Sequence, residues 1–206
     1  PYFSGKSQMI EMTVDGFQPQ TNITKRMGYF SSISAAPYDT LYDGFWIESD
    51  STTLRLRAAR NGVDTVNVPL SSWTGYNSVA TYDYSKFTVF IMDFLWLGGA
   101  ALRLFQRTAN GIELLHSFTY PGTSTDTIIS SPNQPVRYEI RSSGGNGAMT
   151  AICSQISTEG STTESGKNRV IDTGSAAITI TTVGTTYPLV GVRLSPSNRN
   201  KSVRII

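Results

Sequence analysis

The sequence predicts an all-β fold, an antiparallel β-sandwich of about ten to twelve strands. Three observations lead there. Apolar residues recur with a period of two along most of the chain, and a helical period is almost absent. Turn-forming pairs punctuate the runs at short intervals. Charged residues make up only 16% of the 206 residues, against roughly 25% in an average domain, and Ser, Thr, Asn and Gly fill the difference.

Taken in order, Ile10, Met12 and Val14 alternate with Glu11 and Thr13, which is a strand with one face in a core and one in water. Leu54, Leu56 and Ala58 alternate with Arg55 and Arg57 in the same way. Asn61-Gly62 follows, and because both residues tolerate positive φ, residues 54–60 are predicted to pair with residues 63–69 as a hairpin. Residues 89–97 are apolar on both faces, as a central strand should be, and 102–105 follow after Gly98-Gly99. Asn110-Gly111 predicts a second hairpin, 102–107 with 112–118, in which His116 shares a strand face with Ile112, Leu114 and Phe118. Val136, Tyr138 and Ile140 alternate with Arg137, Glu139 and Arg141. Cys153, in Met149-Thr150-Ala151-Ile152-Cys153, is expected as a small buried residue.

The strand spacing suits a jelly-roll or concanavalin-like sandwich over residues 1–157. Residues 158–176 are rich in Gly, Ser and Thr and read as a loop or linker, and 177–206 as further strands or a C-terminal arm. The opening at Pro1 and the apolar ending Arg204-Ile205-Ile206 suggest a fragment of a longer or processed chain.

Composition narrows the function classes. The net charge is +2 and no run of Lys or Arg exceeds two, so the basic stripe that nucleic-acid binding requires is missing. No apolar run approaches the roughly 20 residues of a membrane helix. One cysteine permits no internal disulfide, and one Cys with one His cannot supply the usual ligand set of zinc, so no metal or other cofactor is expected.

The search for catalytic groups is equally thin. His116 stands alone, and a triad needs a histidine held between a nucleophile and an acid. Glu48 and Asp50 follow Trp46 on one strand and suggest the start of a sugar cleft. A retaining glycosidase needs two carboxyl groups about 5 Å apart. The laminarinase-type enzymes place a further glutamate two or three residues on, where this chain has Thr52 and Thr53. Asp93, inside an apolar strand, calls for a partner such as Arg103 or Arg137. Asp39, Asp43, Glu48 and Asp50 crowd one region but form no calcium motif. The expectation is therefore a non-enzymatic chain. Trp46, Trp73, Tyr76, Tyr82 and Tyr84 are its candidate contacts with glycans or partners, since Trp and Tyr beside Asn and Asp on loops often bind sugars. Pinning of the 69–87 connection onto its own sheet is the equal alternative for the loop aromatics.

Six segments in consistent order carry a resemblance: Met27-Gly28-Tyr29-Phe30, Asp43-Gly44-Phe45-Trp46-Ile47-Glu48, Pro69-Leu70-Ser71-Ser72-Trp73, Phe90-Ile91-Met92-Asp93-Phe94-Leu95-Trp96-Leu97-Gly98, Ser131-Pro132-Asn133-Gln134-Pro135-Val136-Arg137-Tyr138-Glu139-Ile140 and Ile152-Cys153-Ser154-Gln155-Ile156-Ser157-Thr158-Glu159-Gly160. Across residues 26–160 the chain resembles a family of virion structural proteins of environmental tailed bacteriophages and large aquatic DNA viruses. The connection 74–86 departs from it, being shorter and lacking an Asp-Gly-rich run, and 98–120 match only in outline. The resemblance implies a capsid decoration, fibre or tail component of an extracellular viral particle. Such a component would assemble with itself, as a trimer or ring, and with other virion proteins. A carbohydrate-binding, lectin-like module is the alternative, and the two are compatible where a particle protein touches a host glycan.

Overall fold

A computed structural model of the chain describes residues 6–75, 82–96, 101–119 and 126–158. The expected linker and C-terminal arm beyond Thr158, and Tyr76, lie outside these residues.

The described residues form ten strands: β1 (Gln8–Asp15), β2 (Ile23–Ser32), β3 (Tyr42–Ser49), β4 (Leu54–Arg60), β5 (Val63–Pro69), β6 (Thr88–Leu95), β7 (Ala101–Thr108), β8 (Gly111–Thr119), β9 (Val136–Ser142) and β10 (Thr150–Thr158). They make two antiparallel sheets of five, ordered β10-β1-β6-β7-β8 and β5-β4-β3-β2-β9. The described residues form an all-β sandwich, as the period-two pattern predicts.

The core follows from the alternation. Ile10, Met12 and Val14 of β1, Phe90, Met92 and Phe94 of β6, and Leu102 and Leu104 of β7 point inward from the first sheet. Met27 and Tyr29 of β2, Phe45 and Ile47 of β3, and Leu54, Leu56 and Ala58 of β4 face them from the second. The Phe45 and Phe94 rings meet across the gap with centroids 4.8 Å apart. β6, flanked by β1 and β7, is buried at Phe90 through Phe94, which explains its apolar character on both faces.

Both Asn-Gly hairpins form. β4 pairs with β5, with Asn61 at φ 50° and Gly62 at φ 83° in the turn, and β7 pairs with β8. The predicted face of β8 needs correction. Leu104 lies opposite His116 and Phe105 opposite Leu114, so Leu115 is an extra residue in the ladder. A bulge reverses the alternation. Leu115 joins the core, while Ile112 and Leu114, expected beside His116, are exposed.

Several buried polar groups hold the connections. The Lys25 ammonium donates to the Gly16 carbonyl at 2.6 Å and to the Gln18 carbonyl at 3.2 Å, and burial pulls its pKa down. Asp43 accepts from the Asn61 N–H at 3.1 Å, the Ser130 N–H at 2.9 Å and the Gln134 amide at 2.6 Å. One carboxylate thus ties the start of β3 to the β4–β5 turn and to the segment before β9.

Candidate assembly edge

A sheet ends in strands whose outer N–H and C=O groups lack a strand partner, and soluble proteins protect such edges with charges, proline or covering segments. Three of the four outer strands here are protected. β8 is covered by the segment after β5: Gly75 N–H donates to Leu115 O at 3.0 Å, and Thr74 N–H to His116 Nδ1 at 3.2 Å. β5 carries Asp64 and Pro69, and Thr65 reaches the Ile128 carbonyl at 2.8 Å. β9 carries Arg137, Glu139 and Arg141.

β10 differs. Its sequence, Thr150-Ala151-Ile152-Cys153-Ser154-Gln155-Ile156-Ser157-Thr158, contains no charged residue and no proline. Residues 150–156 are exposed, with Ile152 at 47% and Ile156 at 42%. Cys153, expected inside, is exposed because β10 is an outer strand among the described residues; its thiol lies 3.3 Å from the Thr13 hydroxyl. By register Ile156 sits opposite core residue Ile10, and on β9 Ile140 sits opposite Lys25, both at inward positions. Ile140 is nonetheless 44% exposed, so the sandwich is open along the β9/β10 margin. The Tyr138 hydroxyl spans that margin, 3.2 Å from the Thr13 carbonyl and 3.0 Å from the Cys153 carbonyl.

The aromatic contact candidates are mostly interior. Trp46 lies on the outer face of its sheet yet is only 1% exposed. Its ring packs 5.2 Å from Phe30 and 5.3 Å from Tyr42, and the Arg57 guanidinium covers it at 5.6 Å. Trp73 belongs to the main core and donates to the Val68 carbonyl at 3.0 Å. Tyr84 stacks on Phe90 at 5.9 Å. As placed, these three rings cannot receive a sugar face, because burial of the large apolar ring outcompetes exposure. Tyr82 is half-buried and donates to Glu113. For Trp73, Tyr82 and Tyr84 the geometry is that of pins on their own sheet.

The acids are engaged by cations. Glu48 accepts from Arg26 at 2.6 Å and from Arg57 at 2.9 Å. Arg26 and Arg137 each pair with Glu139. Glu139 also accepts the Tyr42 hydroxyl at 2.8 Å; burial, then that bond, pushes Tyr42 up to about 12. Asp50 lies beyond the end of β3, paired with Arg55 at 2.8 Å. Burial pushes the Asp50 carboxyl up, but bonds from Arg55, the Thr52 and Thr53 N–H groups and the Thr52 hydroxyl outweigh it and hold the pKa at about 2. Asp93 pairs with Arg103, one of the two predicted partners, and Asp39 with Arg141. His116 is buried, which lowers its pKa, and its Nδ1 accepts from Thr74. Among the described residues no cluster of His, Cys, Asp and Glu could hold a metal ion.

No family model and no curated protein matches the chain. Among solved structures it is similar to an ancestral congerin, at 6% identity, with 75% of this chain and 92% of that chain covered and a TM-score of 0.34. At that score the likeness carries no argument about function.

Proposed function

We propose that this chain is a non-enzymatic structural component of a viral particle that assembles with itself through the β10 edge. The self-assembly rests on one observation: β10 is the only one of the four described sheet edges without charge, proline or cover. The viral setting rests on the sequence resemblance over residues 26–160. The non-enzymatic reading is supported by Glu48, Asp50 and Asp93, each spent on an arginine, and by His116, which holds a backbone N–H.

A second copy is the occupant that β10 fits. In an antiparallel pair with a two-fold axis at Ser154, the regular stretch 153–156 forms the seam, and Ile152, the extra residue of a bulge beside Val14, meets Ile156 of the partner subunit at its end. Cross-strand apolar pairs of this kind each contribute roughly 0.2–1 kcal/mol. A strand without charges brings no like charges together at the axis. Such a seam is isologous and yields a two-fold pair, whereas the trimer or ring suggested by sequence needs a heterologous contact elsewhere.

Sedimentation of the chain and of Ile152→Lys tests this. Ile152 is half-exposed, so lysine is tolerated by the fold. The wild type sediments as a dimer, and the variant as a monomer with unchanged melting temperature. A wild-type monomer at high micromolar concentration, or a dimer that ignores the lysine, overturns the reading.

A further inference from the structure

The inward positions of β7 run Leu102, Leu104, Gln106 and Thr108, so the face that builds the core turns polar at one end of the strand. Glu113 of β8 lies opposite Gln106 in register and shares that face. With Thr88 of β6 they line an open cleft of about 430 Å³, together with Tyr82, Lys86, Phe87 and Asn110. That volume lies within the roughly 300–1,000 Å³ of small-molecule sites.

Two features of the cleft have no structural use. Gln106 is 6% exposed, and its Oε1 is buried with no hydrogen-bond partner. A buried acceptor left unpaired is destabilising, and turning the terminal amide so that this oxygen meets a donor in the cleft relieves it. Phe87, on the rim, is 73% exposed, the highest value among the large exposed hydrophobic residues of the described chain. Between them the polar groups are already oriented. Glu113 accepts from Tyr82, and from the Thr108 hydroxyl at 3.1 Å, and these bonds keep its carboxyl below the usual range. Asp83 accepts the Ser85 hydroxyl at 2.6 Å. With Lys86 among them, the acids impose no field of a single sign that would select a charged ligand.

We infer that this cleft binds a neutral saccharide. Phe87 offers the apolar face on which the C–H face of a pyranose packs. With its amide turned toward the cleft, Gln106 Oε1 accepts from a sugar hydroxyl, and Glu113 and Asn110 line the cleft beside it. The cleft sits at the β7–β8 margin and β10 at the other margin of the same sheet, so saccharide binding and self-assembly are independent.

Saturation-transfer NMR with lactose, maltose, cellobiose and N,N′-diacetylchitobiose, on the whole chain, tests the proposal. At least one disaccharide receives saturation. Phe87→Ala weakens that binding by roughly tenfold, the equivalent of one lost ring contact, and Phe87→Tyr retains it. Because Phe87 is exposed, its loss leaves the melting temperature unchanged. No transfer to any of the four sugars, transfer unaffected by Phe87→Ala, or binding of a lysine-containing peptide in place of every sugar overturns the proposal. Sedimentation of Phe87→Ala as a dimer, like the wild type, keeps the two readings separately testable.

Discussion

Glu48 is the residue on which the outer face of the second sheet turns. Its carboxylate is 6% exposed and bridges Arg26 and Arg57, which in turn cover Tyr42 and Trp46. Removing Glu48 leaves Arg26 with Glu139 and Arg57 with Asp64, so the cost falls short of that of an orphaned buried charge and is roughly 1–3 kcal/mol, that of lost charged hydrogen bonds. Glu48→Ala should therefore lower the urea midpoint by clearly more than an ordinary surface substitution. A change below 0.5 kcal/mol, on the order of an ordinary surface substitution, would show that the network is decorative. Asp50 makes a pH-dependent contribution with a definite sign. Its folded pKa of about 2 lies below its ordinary 3.8, so the stabilisation is complete above pH 4 and is lost as the pH falls towards 2. The side chain is partly exposed, so screening leaves roughly 1 kcal/mol. Asp50→Asn should be less stable than wild type at pH 7 and equal to it near pH 2, as chemical denaturation at the two pH values will show. At this scale the sequence is read well where a charge stands inside an apolar run, as with Asp93 and its partner Arg103. It is read poorly where arginines shelter an aromatic ring, because Trp46 on the water face of a strand looks exposed until Arg57 is placed over it.

Strands and their pairings are the most legible level, since period-two alternation and Asn-Gly turns act locally. Both hairpins pair as those signals predict. The β8 face is misread because one inserted residue, Leu115, leaves no mark in composition while reversing the parity before it. The exposure of Cys153 is missed for a different reason. A short run such as Ala151-Ile152-Cys153 reads alike in a central and an outer strand, and only the topology decides between them. Glycine carries information at one pairing in particular. Gly28 faces Trp46 across β2 and β3, and a Cβ there would overlap the Phe45 and Trp46 backbone and come 2.7 Å from the Trp46 Cβ. Gly28→Ala should cost about 1–3 kcal/mol by overpacking, a loss that thermal denaturation will register. Unchanged stability would mean that the two strands can separate freely at this point.

At the scale of the whole molecule the two proposals fall on opposite margins of one sheet: self-association on β10, with the Ile140 and Ile156 side chains exposed beside it, and ligand binding at the Phe87 cleft. The Gln106 site has a faint sequence signal, two polar residues continuing the inward parity of Leu102 and Leu104, whereas the companionship of Gln106 with Phe87 depends on the path of the 82–87 connection. A β10 seam also fixes a register, and that register is the most exposed part of the proposal. With the native thiol removed by Cys153→Ser, Ser154→Cys places two thiols face to face across the two-fold axis, with Cβ atoms about 4.5–5.5 Å apart, close enough to close a disulfide with slight adjustment. Gln155→Cys in the same background faces position 153 of the partner subunit and has no thiol opposite. Oxidation followed by a non-reducing gel should give a covalent dimer at 154 and essentially none at 155. Equal cross-linking at the two positions, or none at 154, would contradict assembly through an antiparallel β10 seam.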